Sequence, residues 1–146
     1  MKNRIYLCLA HMSGKEMQYI QEAFDTNWVV PLGPNVNGFE KDLEEFVGEN
    51  KRVVALSSGT AAVHLGLIAA GVKAGDEVLV QSFTFCASTH PITYLGATPV
   101  LIDSEPDTWN LDPVLLEEAI KDRIAKTGKK TCCYSTCISL WYASEN

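Results

Sequence analysis

Apolar residues recur at helical spacing at Met17, Ile20 and Phe24, and again at Phe39, Leu43, Phe46 and Val47. Each set falls on one face of a helix. Ser13-Gly14-Lys15-Glu16 is a capping box, with Ser13 as N-cap and Glu16 at N3, so the first helix is expected to run to about Thr26. Asn37, with Glu40 three residues on, predicts the start of the second helix, and Gly48 fits the position just past its end. Between them stands Asn27-Trp28-Val29-Val30-Pro31-Leu32-Gly33-Pro34-Asn35-Val36. Its prolines and glycine predict a shaped loop rather than a continued helix.

The pattern then changes. Arg52-Val53-Val54-Ala55-Leu56 predicts a buried strand, and Ala61 to Ala70 a helix that is apolar nearly all round, ended by Gly71. Such a helix is usually buried on most sides. Glu77-Val78-Leu79-Val80 predicts a second strand, and Pro99-Val100-Leu101-Ile102-Asp103 a third. The helix between them is expected from about Cys86 to Leu95, with Gly96 behind it and Pro91 tolerated only near its first turns. Asp112-Pro113 opens a last helix by an N-cap followed by Pro at N1. It is expected to reach about Ala125 with Leu115, Leu116, Ala119 and Ile120 inward. Strands alternating with helices predict an α/β fold with a largely parallel sheet.

Composition narrows the function classes. The chain has 146 residues, 47% hydrophobic and 21% charged, with a net charge of −6. No basic face is available to neutralise a phosphate backbone, so nucleic acid is not an expected partner. No apolar run approaches the ~20 residues of a membrane span, and the short run before His11 is not a signal segment. A cytoplasmic protein with no membrane partner is expected. Five cysteines, Cys8, Cys86, Cys132, Cys133 and Cys137, form neither a disulfide framework nor paired metal-ligand spacing. No metal site is expected.

One segment points to chemistry. Ser57-Ser58-Gly59-Thr60-Ala61-Ala62 joins the predicted buried strand to the predicted buried helix. The first N–H groups of that helix lack internal partners, and its dipole adds positive charge there. Gly59 admits close approach of a ligand, and the hydroxyls of Ser58 and Thr60 can donate to an oxyanion, so the turn is a candidate phosphate cradle. The same residues also make an ordinary N-cap and tight turn. It is neither a Walker loop nor a dinucleotide fingerprint. Gln81-Ser82-Phe83-Thr84-Phe85 ends the second strand on the same edge of a parallel sheet. An aromatic ring there could stack on a planar cofactor, although Phe83 and Phe85 also fit a core role.

Taken in order, Pro31-Leu32-Gly33-Pro34-Asn35-Val36, Phe39-Glu40, Ser58-Gly59-Thr60-Ala61-Ala62-Val63-His64-Leu65, Gly75-Asp76-Glu77-Val78, Ser82-Phe83-Thr84-Phe85 and Gly96-Ala97-Thr98-Pro99-Val100 resemble the DegT/DnrJ/EryC1/StrS family of nucleotide-sugar aminotransferases. The resemblance runs from about residue 11 to 131. It implies the N-terminal part of the large domain of the type I pyridoxal-phosphate-dependent aminotransferase fold over residues 1–131, and a homodimer. It implies pyridoxal 5′-phosphate as cofactor, with Ser58, Gly59, Thr60 and Ala61 at its phosphate and Phe85 stacked on its ring. Trp28, Pro31, Leu32 and Gly33 match a loop near the sugar-nucleotide site. The implied reaction moves an amino group from glutamate to a keto-sugar nucleotide, and the Trp28 loop resembles polysaccharide-pathway members. In the family, the lysine that anchors the cofactor and the acid that pairs with its pyridine nitrogen lie later than the last residue here. No catalytic residue is therefore expected in this chain, which is expected to be truncated and inactive alone.

From Cys132 the resemblance stops. Cys132-Cys133-Tyr134-Ser135 can be written TGC TGT TAT TCC, and one base later the same bases read Ala-Val-Ile-Pro, the family's next strand. Trp141-Tyr142-Ala143-Ser144-Glu145-Asn146 can be written so that one base later it reads Gly-Met-Pro-Ala-Lys, again as in the family. Thr136 to Leu140 fit less cleanly. Residues 132–146 are thus expected to be a frameshifted tail ending at an early stop, poorly ordered or arbitrarily packed; a genuine variant C-terminus is the alternative. Two other readings of the whole stay open. One is a non-catalytic α/β module that holds a phosphorylated ligand at Thr60, and the other is an inert pseudogene product.

Overall fold

The computed structural model describes residues 10–48, 50–128 and, for the backbone, 132–133. The chain divides after Ala55 into two units.

The first unit carries helices α1 (Glu16–Asp25) and α2 (Pro34–Val47). At the head of α1 the Glu16 carboxylate accepts from the Ser13 N–H at 2.6 Å and the Gly14 N–H at 2.9 Å. The Ser13 hydroxyl accepts from Lys15 instead of closing the reciprocal bond expected of a capping box. At the tail, Asn27 takes φ +58. Its N–H reaches Phe24 O and the Trp28 N–H reaches Ala23 O. This is a Schellman closure with Asn in the left-handed position, and it turns Trp28 back towards Ala23.

α2 starts at Pro34, three residues before the expected Asn37. Proline has its φ preset for a first helical turn and lacks only an N–H that the turn would leave orphaned anyway. The Asn37 N–H is consumed by Gly33 O at 3.1 Å. Arg52–Leu56 is not a strand among the described residues, contrary to expectation. Its amides are taken by side chains of α2: Glu44 accepts from Val53 at 3.1 Å and Glu40 from Ala55 at 2.8 Å. Two carboxylates one helical turn apart substitute for the neighbouring strand that the apolar run implied. Neither helix buries a residue, and Met17, Ile20, Phe24, Phe39 and Phe46 are all exposed.

The second unit runs α3 (Gly59–Ala69), β1 (Glu77–Gln81), a 3-10 turn (Cys86–Ser88), α4 (His90–Tyr94), β2 (Thr98–Ile102), α5 (Pro113–Thr127) and β3 (Cys132–Cys133). The sheet has order β2-β1-β3 and both pairings are parallel. Glu77 to Gln81 pair in register with Thr98 to Ile102, and Val78 and Leu79 with Cys132 and Cys133. β1 is the central strand and is buried on both faces, as parallel strands covered by helices are. Val78 and Val80 join Leu67, Val72, Ile92 and Ala97 in the core, with Val63 and Leu95 packed against it. Alternation puts Leu79 on the opposite face, and Glu77 at the start of the strand takes a two-pronged bond from Arg123 of α5 at 2.6 and 2.8 Å.

Glycines close two of these helices. Gly71 and Gly96 have φ +83 and +70. Past them, the Val72 N–H reaches back to Leu67 O and the Ala97 N–H to Ile92 O. Both pairs of side chains are buried, so the hydrogen-bonded closure and the core coincide. Pro91 sits in the first turn of α4, the place where its missing N–H costs nothing. Asp112 caps α5, its carboxylate accepting from Val114 at 2.8 Å and Leu115 at 3.2 Å.

Two burial expectations are corrected. α3 was expected to be buried on most sides, yet only Leu67 is fully buried while Leu65 and Ile68 are exposed. The 3-10 turn, α4 and the core cover one flank only among the described residues. α5 buries none of its residues, and Leu115, expected inward, is exposed. The tail expected from Cys132 onward lies outside the described residues except for the backbone pairing of Cys132–Cys133.

Candidate functional site

At the head of α3, Ser58 is the N-cap in an extended conformation, and its hydroxyl accepts from the Ala61 N–H at 3.2 Å. The first intrahelical bond joins Ala62 N–H to Ser58 O. The N–H groups of Gly59 and Thr60 and the Thr60 hydroxyl have no protein partner among the described residues. A Cβ built on Gly59 would meet nothing within 4 Å, so the turn is not crowded at its glycine. Unpartnered donors at the positive end of an eleven-residue helix suit a tetrahedral oxyanion. No carboxylate lies between Ser57 and Val63 to oppose one. The N-cap role and the cradle role are therefore compatible: Ser58 satisfies one donor and leaves two.

α3 packs against the 3-10 turn and α4, and the loop of residues 82–85 leads into them. That loop carries the aromatic pair. Phe83 and Phe85 are 62% and 76% exposed, which excludes the core role. The two rings differ. Phe83 packs edge-to-face on Trp109, with centroids 5.2 Å apart. Phe85 makes no ring contact among the described residues. Thr84 is tied through its hydroxyl to that of buried Ser88 at 3.0 Å. The Ser82 N–H donates to Ile102 O at 2.7 Å.

In the first unit, Trp28, Leu32 and Gly33 line a groove of about 180 Å³ with Glu22, Val30 and Val36. Gly33 has φ +133, and a Cβ there would stand 3.0 Å from the Trp28 ring. Only glycine lets the chain pass under that indole. Pro31 borders the adjoining apolar groove with Ile20 and Phe24. The structure thus joins the four loop residues around one surface.

Sequence reasoning missed two residues. Gln81, the last residue of β1, is buried, and its amide donates to Trp109 O at 2.7 Å and Ser104 Oγ at 3.0 Å. Trp109 holds φ +63, a strained conformation for a bulky residue. A polar residue ending an apolar strand was the available signal for Gln81. For Trp109 no local signal existed. Its loop is shaped by Glu105, whose carboxylate accepts from the N–H groups of Asp107 and Thr108 and from the Thr108 hydroxyl. The Thr108 hydroxyl, foremost, holds that carboxyl below its ordinary pKa.

Comparisons with known proteins follow the same residues. The sequence profile of the DegT/DnrJ/EryC1/StrS aminotransferase family matches residues 10–127. EpsN of Bacillus subtilis is 56% identical over 122 residues, covering 84% of this chain and 31% of that protein. The GDP-perosamine synthase of Caulobacter vibrioides is 42% identical over 120 residues, covering 82% and 32%. Among solved structures, Spr1654 of Streptococcus pneumoniae in its PLP form superposes with a TM-score of 0.66 at 35% identity, over 75% of this chain and 28% of that one. The chain spans about a third of the length of the curated relatives it matches. It belongs to the DegT/DnrJ/EryC1/StrS aminotransferase family.

Proposed function

We propose that this chain is the front part of a pyridoxal-phosphate-dependent aminotransferase acting on keto-sugar nucleotides in the supply of surface polysaccharide, with glutamate as amino donor and a homodimer as the working form. The observation that carries it is the head of α3, where the N–H groups of Gly59 and Thr60 and the Thr60 hydroxyl have no partner among the described residues. In this reading Ser58 orients the turn by holding the Ala61 N–H. Gly59 and Thr60 donate to the cofactor's phosphate, with Ala61 completing the turn, and the exposed Phe85 ring stacks on its planar face. When bound, pyridoxal phosphate supplies an electron sink and a carrier for the amine. Trp28, Pro31, Leu32 and Gly33 form the surface on which the sugar nucleotide rests. The names of the relatives, GDP-perosamine synthase among them, support the substrate class. Among the described residues no helix is long and apolar enough to cross a membrane, which agrees with a cytoplasmic setting.

None of the lysines in residues 1–146 matches the lysine that anchors the cofactor in the family, so this segment taken by itself holds the cofactor without a covalent bond and moves no amino group. Residues 1–131 form the family part, and residues 132–146 are a frameshifted tail. The parallel pairing of Cys132–Cys133 with β1 is a backbone interaction, indifferent to which frame supplied the side chains.

Titration of the purified chain with pyridoxal 5′-phosphate and with pyridoxal tests the site. Binding that depends on the phosphate and weakens on Thr60→Ala, without the visible band of a lysine adduct, is expected. Equal binding of both compounds overturns the cradle, and amino transfer to a keto-sugar nucleotide by this chain overturns its inactivity. Sequencing the gene past the codon for Lys130 decides the tail: a family sequence one base out of phase is expected.

A further inference from the structure

The loop from Ser82 to Ser88 is held at three points and leaves one ring loose. The Ser82 N–H is bonded to Ile102 O, and Thr84 is bonded to buried Ser88. Phe83 is pinned by the edge of Trp109. Between these anchors Phe85 stays 76% exposed. Trp109 is itself held from below. It takes φ +63, which a bulky residue keeps only where the surroundings over-determine it. Its carbonyl accepts from the buried Gln81 amide, and its N–H donates to Glu105 O at 3.1 Å. Gln81 ends the same strand that launches the loop, so one residue sets the path of the chain and fixes the indole that clamps it. Strain of this kind marks a position kept for something other than stability.

We infer that Gln81 and Trp109 are positioning residues for Phe85: the buried amide holds the strained Trp109 backbone, the indole it carries pins Phe83, and the pinned loop presents the Phe85 ring. The inference rests on the reading of Phe85 as the ring that meets the cofactor, yet its first readout needs no cofactor. Neither residue touches the proposed ligand, so neither is a catalytic residue.

Amide hydrogen exchange on the full chain is the test, with Thr84 and Ser88 as reporters and the amides of α5 as internal reference. Trp109→Gly removes the ring and relieves the positive φ at an exposed site, so it retains the fold. Loss of the edge-to-face ring contact raises exchange at the reporters by up to about tenfold relative to α5. Gln81→Leu does the same through the unpaired Trp109 carbonyl, and Trp109→Phe, which keeps a ring edge against Phe83, restores protection. In parallel, affinity for pyridoxal 5′-phosphate falls in Trp109→Gly and returns in Trp109→Phe. Wild-type exchange at both reporters in Trp109→Gly overturns the inference. So does a rise spread equally over α5, which would make Trp109 a general stabiliser, and so does a failure of Trp109→Phe to rescue. If the unaltered chain binds no pyridoxal 5′-phosphate, the cofactor reading falls, and the exchange result alone decides the positioning of the loop.

Discussion

Among the described residues, the stretch 56–128 buries a set of apolar side chains from Leu67 to Ile102, whereas the stretch 10–55 buries none. Both stretches contain well-formed helices of similar length, so helix formation does not separate them. What separates them is the kind of interaction that holds the intervening backbone. In the second unit, β1 and β2 satisfy each other's amides and the helices close over them. In the first, the amides of Val53 and Ala55 are met by carboxylates of α2, and the apolar stripes of both helices stay bare. A polar clamp can organise a segment without a core, but it is short-ranged and leaves apolar surface behind.

The widest gap between the two regions is expected from matched truncations. Leu67→Ala, at a fully buried position, should lower unfolding stability by about 2–5 kcal/mol. Phe46→Ala, at a residue 87% exposed, should change it by less than about 0.5 kcal/mol. Urea midpoints of both variants measure this, and a comparable loss at Phe46 would break the contrast. Next comes the clamp. Glu40→Ala strips a charged acceptor from a partly buried amide and should cost about 1.5 kcal/mol, read as faster exchange at Ala55 while β1 stays protected. If β1 loosens equally, the two regions unfold as one. Asp112→Ala removes the cap of α5 and should cost about 1 kcal/mol, visible as a lower melting temperature.

The smallest effect is a pH dependence confined to α1. Its own N–H first, and the Ser13 N–H and hydroxyl next, hold the Glu16 carboxyl at about 2 instead of the ordinary 4.5. A depressed carboxyl contributes stability above its unfolded pKa and loses it as pH falls through the folded one. Fraying of the first turn of α1 is therefore expected between pH 4.5 and about 2. Glu16→Gln should flatten that dependence in amide chemical shifts of residues 13–16, and an unchanged profile would assign it to another group.

The second unit was legible in the chain because its signals are local and agree with one another. Asp112-Pro113, Gly71 and Gly96 each name a helix end, and β1 and β2 lie within one residue of their expected bounds. The head of α3 was legible for the same reason, since Ser58-Gly59-Thr60 states both a cap and an approach. Arg52–Leu56 misled because an apolar run implies a strand only if a partner strand is at hand, and here the partners are Glu40 and Glu44. Asn37 misled because a good cap lost to a better start, Pro34 behind Gly33. The exposure of Phe83 and Phe85, and the role of Trp109, rest on contacts across more than twenty residues, which no local pattern records.

The three helix closures, Ala23 with Trp28, Leu67 with Val72 and Ile92 with Ala97, each need only six consecutive residues. Such a unit is specified locally, while its persistence depends on packing against the rest of the chain. The helix that presents Gly59 and Thr60 is therefore closed at its far end by the same two residues, Leu67 and Val72, whose side chains meet β1 in the core, so its orientation is set by the sheet.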